Sequence, residues 1–520
     1  MTEQADRADT QEWLPRRLAL LVIGAAASGV LIHALVGFRG AYLTYASGVW
    51  LSLAGDLSEH GVLFRDLTSE LGYGGTRYFP LFFVIISFFL KLGVPAAVSG
   101  WLAGVAGFVI LVTGAHRIAR ESGAPRLTSW VAAAAAACPY FTLEAVFGVR
   151  ADVMAAGLNL WGVALVLPVW RQSGLRCNIR IWPACVCFAL AFATKVTALA
   201  IPATLIAAAL GTGRVRVGAK LGAALAAAIA SILILVQVVS AGRAFRVWAA
   251  CMFAGSDSSG TLSAFLSGGF LPGLLNSHLV VAAMATALIA LGLMLFPADK
   301  GVRIAVPSRA VVMLLWIGAT VSLGVTLSSP GTVPANQVIE WLAISMLTPL
   351  IVAGPRPRLR RVTGFALAAM AIWMAAQNVS RAREMRELAD ADNVQQRRRF
   401  VERVRGFDAP ILSESALWPV FAGREVVVPD PFAARLVLRS HPEIERTLVD
   451  EIARRKYTRI ILEFDPSSPE GRGMYEFSHF GRPVIAAIET HYVLETAALP
   501  NAFVFVPRAA DPKVDLIRRY

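Results

Sequence analysis

The sequence predicts an all-α polytopic membrane protein that carries a small α/β domain at its C-terminus. Of the 520 residues, 56% are hydrophobic and 16% are charged, whereas a soluble domain is charged at about one position in four. The charge deficit lies between Leu18 and Gln377, where apolar runs alternate with short polar joints. Since lipid cannot hydrogen-bond to the backbone, such runs are expected to be helices that cross the bilayer.

Individual apolar runs approach the roughly 20 residues that a bilayer-spanning helix needs. They are Leu18–Phe38, Val217–Ser240, Leu279–Phe296, Ala310–Leu327, Val338–Val352 and Val362–Gln377. We expect about 11 spanning helices, in a range of about 10–13. Residues 79–116 are broken at Gly93–Val94–Pro95, so they cross either twice or once with a partial element. Residues 181–211 are interrupted by Lys195 and form either two short helices or a broken pair.

The net charge of +14 does not indicate a nucleic-acid partner, because Arg and Lys cluster in joints between the apolar runs. That pattern is the positive-inside signature of an inner (plasma) membrane protein. It places residues 1–17 in the cytoplasm and the poorly basic joints, together with the C-terminal domain, on the periplasmic or extracellular side. The first apolar run has no convincing cleavage site and is expected to remain as an anchor.

The domain organisation follows from these patterns. The transmembrane domain is expected over residues 18–380, with an external loop at 39–78. A charged linker helix follows over 381–408, where anionic lipid headgroups are the natural contact. The external α/β domain is expected over 409–520, with strands at Ala409–Ser413, Glu425–Pro429, Arg459–Phe464 and Ala502–Val506 and a helix at Glu443–Lys456.

The external joints hold the polar residues that suggest chemistry. The loop 39–78 contains two short amphipathic stretches, Tyr42–Leu53 and Gly61–Leu67, which suit interfacial helices. Candidate catalytic carboxylates are Asp56, Asp66 and Asp152, and candidate substrate-binding residues are Arg65, Arg77, Arg150, Lys195, Asn336 and Glu340. A carboxylate can accept the proton of an acceptor hydroxyl, and cations can stabilise a departing phosphate. This pairing fits transfer from a lipid-linked phosphate.

Four segments carry a resemblance to a known family. They are Gly61–Asp66, Arg77–Leu81, Arg150–Asp152 and Thr194–Thr197. In this order, after a first helix and an acidic external loop, they resemble the GT-C superfamily of membrane glycosyltransferases, and in particular the protein O-mannosyltransferases and lipid A aminoarabinose transferases. The resemblance covers about residues 1–380. It implies a polyprenyl-phosphate sugar donor, a lipid, polysaccharide or protein acceptor, and a role for Asp152 as the second acidic position and Arg77 as the cationic position.

One position departs from the family. Its members carry a carboxylate just after the first helix, whereas this chain has Phe38–Arg39–Gly40–Ala41–Tyr42 there. The role of the base therefore falls to Asp56 or Asp66, or the activity is lost. A transporter or lipid flippase that uses the same cavity, and a non-catalytic envelope protein, are the alternatives. A divalent metal ion is compatible with the family, but the sequence offers no compact ligand cluster and no certain cofactor.

Overall fold

The computed structural model of the protein describes residues 13–171, 175–253, 338–353, 357–477 and 479–508. The expected runs at 279–296 and 310–327, and Asn336, lie outside these residues. The helices of the membrane domain are α1 Arg16–Gly37, α2 Tyr45–Glu59, α3 Leu81–Lys91, α4 Ala96–Glu121, α5 Arg126–Ala137, α6 Tyr140–Phe147, α7 Asp152–Arg171, α8 Leu175–Thr194, α9 Ala200–Gly211, α10 Val215–Val239, α11 Arg243–Phe253, α12 Ile339–Ala353 and α13 Pro357–Glu384.

Five of these helices are long and apolar enough to cross a membrane, and a sixth span results if α5 and α6, bent by 70° at Pro139, are taken as one. The helices pack through small residues, which let backbones approach closely. On α4, for example, a side chain at Gly104 would lie 2.3 Å from the carbonyl oxygen of Val146. The expected polytopic helical membrane fold is thus confirmed.

Residues 79–116 contain the start of one helix that is long enough to cross a membrane, α4, and one shorter apolar helix, α3. Helix α3 has 11 residues, a length of about 17 Å that is too short to span, and α4 has 26. At the end of α4, a side chain at Gly123 would lie 3.7 Å from Arg360, and the Arg360 guanidinium lies 5.4 Å from the Trp13 ring. The basic joint after α4 is therefore at the same end of the bundle as the N-terminal segment.

The loop over residues 39–78, for which an external position was expected, differs partly from the other expectations. Its first amphipathic stretch forms α2, but Gly61–Leu67 is not helical and leads into a hairpin of β1 Thr68–Ser69 and β2 Gly72–Tyr73. Leu63 and Phe64 are buried against aromatic residues of α3. Protein packing, rather than a lipid surface, therefore covers this apolar segment. The linker is also interrupted, since α13 continues to Glu384 and α14 is Ala391–Arg405.

The C-terminal domain is an α/β unit around a four-stranded sheet. The strands are β3 Ile411–Ser413, β4 Arg459–Leu462, β5 Tyr492–Leu499 and β6 Ala502–Pro507, in the order β3-β4-β6-β5. Only β3 and β4 pair in parallel. The helices are α15 Leu417–Ala422, α16 Pro431–Ser440, α17 Pro442–Ala453, α18 Pro469–Phe477 and α19 Arg482–His491. The helix expected at 443–456 is α17.

The expected strand at Glu425–Pro429 is wrong. Arg65 Nη1 donates to the Val426 carbonyl at 2.6 Å, and the Tyr73 amide donates to the Val427 carbonyl at 2.8 Å. The segment thus uses its backbone to bind the first external loop rather than the sheet. Gly48 on α2 adds a second contact between loop and domain, because a side chain there would lie 2.4 Å from the Leu417 amide nitrogen.

Candidate functional site

The centre of the site is an ion pair between Asp152 and Lys195. Asp152 is the first residue of α7, and Lys195 lies between the end of α8 and a 3₁₀ turn at Val196–Leu199. Lys195 Nζ lies 2.6 Å from Asp152 Oδ1, and the two side chains are 25% and 16% exposed. The break in the helix at Lys195, expected from the sequence, is what brings this cation to the mouth of α7.

A second polar layer lies behind this ion pair. Asn159 Nδ2, on α7, donates to the Ala198 carbonyl at 2.8 Å and to Oε1 of Glu340 at the start of α12. Glu340 is close enough for Lys195 to attract it and for Asp152 to repel it. Its side chain is therefore paired within the protein, as expected of an acid that begins an apolar helix. Asn159, which the sequence analysis missed, joins three helical segments at this point.

Arg150 and Arg77 flank the mouth of the site. Arg150 Nη2 donates to Thr44 Oγ1 at 3.1 Å, at the start of α2. Burial raises the pKa of the Tyr45 phenol above its ordinary value, and the nearby charges of Arg150 and Arg77 oppose the rise. The Arg77 guanidinium lies 4.3 Å from the Phe432 ring of α16, in the range of a cation–π contact. Arg77 thus connects the loop to the C-terminal domain.

Asp56 and Arg65 form a separate, buried ion pair. The side chains are 7% and 4% exposed, and Arg65 binds both carboxylate oxygens of Asp56, with Nε at 2.6 Å from Oδ2. Arg65 also donates to the carbonyls of Leu71 and Val426. Burial raises the pKa of Asp56, and its bonds to Arg65 oppose that shift. This arrangement fixes the loop against the C-terminal domain.

Asp66 belongs to a third ion pair, separate from those of Asp152 and Asp56. Its Oδ1 lies 2.9 Å from Arg246 Nη2 on α11, with the two side chains 44% and 71% exposed. The three candidate carboxylates are therefore distributed over three ion pairs. Of these, the pair of Asp152 has a further candidate, Glu340, behind it, and Arg150 precedes Asp152 by two residues in the chain.

A cavity of about 740 Å³ opens beside the residues that directly follow α1. Its walls include Phe38, Arg39 and Thr44 from the first loop and Arg397 and Arg398 from α14. Arg397 Nη1 donates to the Gly40 carbonyl at 2.8 Å, which fixes the start of the loop. The residues just after α1 thus line a cationic and apolar space that also includes Thr44, the hydrogen-bond partner of Arg150.

The C-terminal domain brings together three residues of the types that bind metal ions. None of them was a candidate from the sequence. One atom each of Glu414, Glu463 and His479 lies within 4.8 Å of the others. Burial and then the charge of Glu414 raise the pKa of Glu463 to about 8. The three residues follow β3, β4 and α18, so only the folded sheet brings them together.

Comparisons with known proteins identify the fold. No family model and no curated protein matches the chain. Among solved structures, the chain is similar to ArnT from Cupriavidus metallidurans bound to undecaprenyl phosphate, with a TM-score of 0.60 and 13% identity over 94% of this chain and 98% of that one. It is also similar to the apo oligosaccharyltransferase of Archaeoglobus fulgidus, with a TM-score of 0.56 and 12% identity over 96% of this chain and 76% of that one.

The same archaeal enzyme in complex with Zn and sulfate gives a TM-score of 0.53 at 12% identity, over 93% and 73% of the two chains. These neighbours are GT-C glycosyltransferases, so the expected resemblance is confirmed at the level of the fold. The chain is therefore a multi-pass membrane protein with a GT-C fold, and its chemistry has to be argued from its own residues.

Proposed function

We propose that the protein is a glycosyltransferase that moves a sugar from a polyprenyl-phosphate donor to an acceptor on the periplasmic side of the inner membrane. The observation that carries the proposal is the Asp152–Lys195 pair, with Arg150 beside it and Glu340 behind it. It supplies a carboxylate and two cations at the end of apolar helices. The likeness to ArnT, which was solved bound to undecaprenyl phosphate, supports this class of donor.

Asp152 is the carboxylate that we assign as the general base. In an inverting transfer, Asp152 takes the proton of the acceptor hydroxyl while the hydroxyl oxygen attacks the anomeric carbon. The bond from that carbon to the phosphate oxygen breaks, and the polyprenyl phosphate leaves with the electron pair. Lys195 and Arg150 stabilise the charge that grows on the phosphate. Asp152 shares Lys195 with the arriving phosphate, so donor binding would loosen the ion pair and free the carboxylate.

The other candidate residues take supporting roles in this proposal. Glu340 and Asn159 position the Lys195 break through the Ala198 carbonyl. Arg77 orients the loop through Phe432 and faces the same mouth. Asp56 and Arg65 hold the loop in place, because both oxygens of Asp56 are bound and the pair is buried. Asp66, at the surface with Arg246, is the less favoured base.

The test is transfer in membranes that contain the full chain. The donors are a panel of radiolabelled undecaprenyl-phosphate hexoses and pentoses, and the measured product is released undecaprenyl phosphate. Asp152→Asn is expected to lower turnover by about 10²–10⁴-fold, while binding of undecaprenyl phosphate, followed by native mass spectrometry, remains. Asp66→Asn is the matched control and is expected to keep wild-type turnover.

Two results would count against the proposal. Full turnover in Asp152→Asn, with loss in Asp66→Asn, would move the base to the surface carboxylate. If undecaprenyl phosphate binds but no sugar is transferred from any donor, and labelled lipid instead crosses the bilayer of reconstituted vesicles, a flippase would be the better description.

A further inference from the structure

The strongest unassigned feature is the buried cluster of the C-terminal domain. Glu414, Glu463 and His479 are 0%, 7% and 1% exposed, and each contributes a ligand-type atom to one group. Two carboxylates and one imidazole form a donor set that suits zinc and related divalent ions. None of the three residues belongs to the membrane-side site described above.

The cluster brings two buried carboxylates to one imidazole. Among the described residues, Glu414 has His479 as its one ion-pair partner, and Glu463 has none. Asp430 also acts on His479, although its carboxylate caps α16 by accepting the Phe432 and Ala433 amides. Burying carboxylates without compensation is costly, so the site needs either bound protons or a cation.

The surroundings are already arranged as the outer shell of a ligand site. Tyr475 Oη donates to Glu414 Oε2 at 2.7 Å, and the Glu463 amide donates to the same oxygen at 2.7 Å. These bonds fix the Glu414 carboxylate in the way that outer partners orient metal ligands. The Ser415 hydroxyl is 1% exposed and lies close enough to the Glu463 carboxylate to stabilise its charge.

We propose that Glu414, Glu463 and His479 bind one divalent transition-metal ion of the zinc class. Ligand atoms around a tetrahedral zinc ion with bonds of about 2.1 Å lie roughly 3.4 Å apart. The three atoms lie within 4.8 Å of one another, so the ion would draw the outer ones together by up to about 1.4 Å and separate His479 Nδ1 from Glu414 Oε1, which are in direct contact. The three protein ligands leave a fourth position for water. The His479 ring packs edge-on against Tyr45 of α2, at 5.3 Å between centroids, so the ion fixes the C-terminal domain against the first external loop.

Metal content and spectroscopy of the purified full-length protein test this proposal. Protein purified without chelator is expected to hold about one zinc ion per chain by elemental analysis. After treatment with EDTA, added Co²⁺ should give the visible absorption of a tetrahedral site, and added Zn²⁺ should raise the unfolding midpoint by about 5 °C or more. Glu463→Gln, which keeps the shape but removes the charge, should lower the bound metal at least tenfold.

Glu451→Gln is the matched control in the same domain. Glu451 accepts bonds from Tyr73, Lys456 and Tyr457 but is not part of the cluster, so this variant should keep its metal whatever it does to stability. Equal metal content in Glu463→Gln and the wild type would overturn the proposal. So would EDTA-treated wild type that takes up no Co²⁺ and is not stabilised by Zn²⁺, a result that does not depend on how any variant folds.

Discussion

The buried ion pair of Asp56 and Arg65 gives the sharpest test of how the first external loop is held. Arg65→Ala leaves the Asp56 carboxylate without its partner in a site where the two side chains are 7% and 4% exposed. Breaking such a pair typically costs about 3–5 kcal/mol. The substitution also removes the bonds to the Leu71 and Val426 carbonyls. We therefore expect a loss of at least about 3 kcal/mol in the free energy of unfolding.

The measurement is equilibrium unfolding of the purified protein in mixed micelles, with Arg246→Ala as the control. Arg246 binds Asp66 in an exposed pair, whose removal should cost less than about 1 kcal/mol. The double variant of Asp56 and Arg65 to Ala should lose less stability than the sum of the single variants, because the second change removes a charge that the first left unpaired. Additive losses, or a loss in Arg65→Ala no larger than in Arg246→Ala, would refute this account.

Three further predictions concern the site, the domain contact and the orientation. Lys195→Ala should weaken binding of undecaprenyl phosphate in native mass spectrometry as well as turnover, because it removes a charge-assisted contact; unchanged binding would contradict its assignment to the phosphate. Gly48→Ala should make the C-terminal domain easier to release by limited proteolysis, since its new carbon would meet the Leu417 amide at 2.4 Å; wild-type protease resistance would show that this contact is dispensable. Cysteines placed at the exposed Ser69 and Ser467 should both be labelled from outside in intact spheroplasts; if neither reacts, the proposed sidedness is wrong.

The fold was largely predictable because its strongest determinant is local. Apolar length alone located α1, α10 and α13, and the charge pattern favoured a single crossing in residues 79–116. The interruption at Lys195 was visible because a cation flanked by apolar residues is costly at membrane depth. Its partner was less obvious. Asp152 was a candidate because of its own position in the sequence. Its 2.6 Å contact with Lys195, however, depends on the packing of α7 against α8.

The parts that escaped prediction depend on pairing between distant segments. Residues 425–429 have the composition of a strand, yet Val426 and Val427 pair with the loop instead of the sheet. Tyr492–Leu499, which supplies an edge strand, shows little apolar alternation, and half of its side chains are exposed. The composition of a segment indicates that it tends to pair as a strand but does not determine which segment it pairs with. The pairing of the strands also determines where the cluster of the C-terminal domain assembles.

Solvent exposure distinguishes the ion pair of Asp56 from that of Asp152. The sequence had offered both carboxylates as candidate catalytic residues. Asp56 and Arg65 are almost fully buried and saturated with hydrogen bonds, so opening them would leave two uncompensated charges. Asp152 and Lys195 are 16% and 25% exposed at the mouth of the helices, where water can reach both groups and an anion such as a phosphate can compete with Asp152 for Lys195. A base has to release its partner in order to accept a proton. The partly exposed pair can do so, which agrees with our proposal that Asp152 acts as the base although no carboxylate directly follows the first helix.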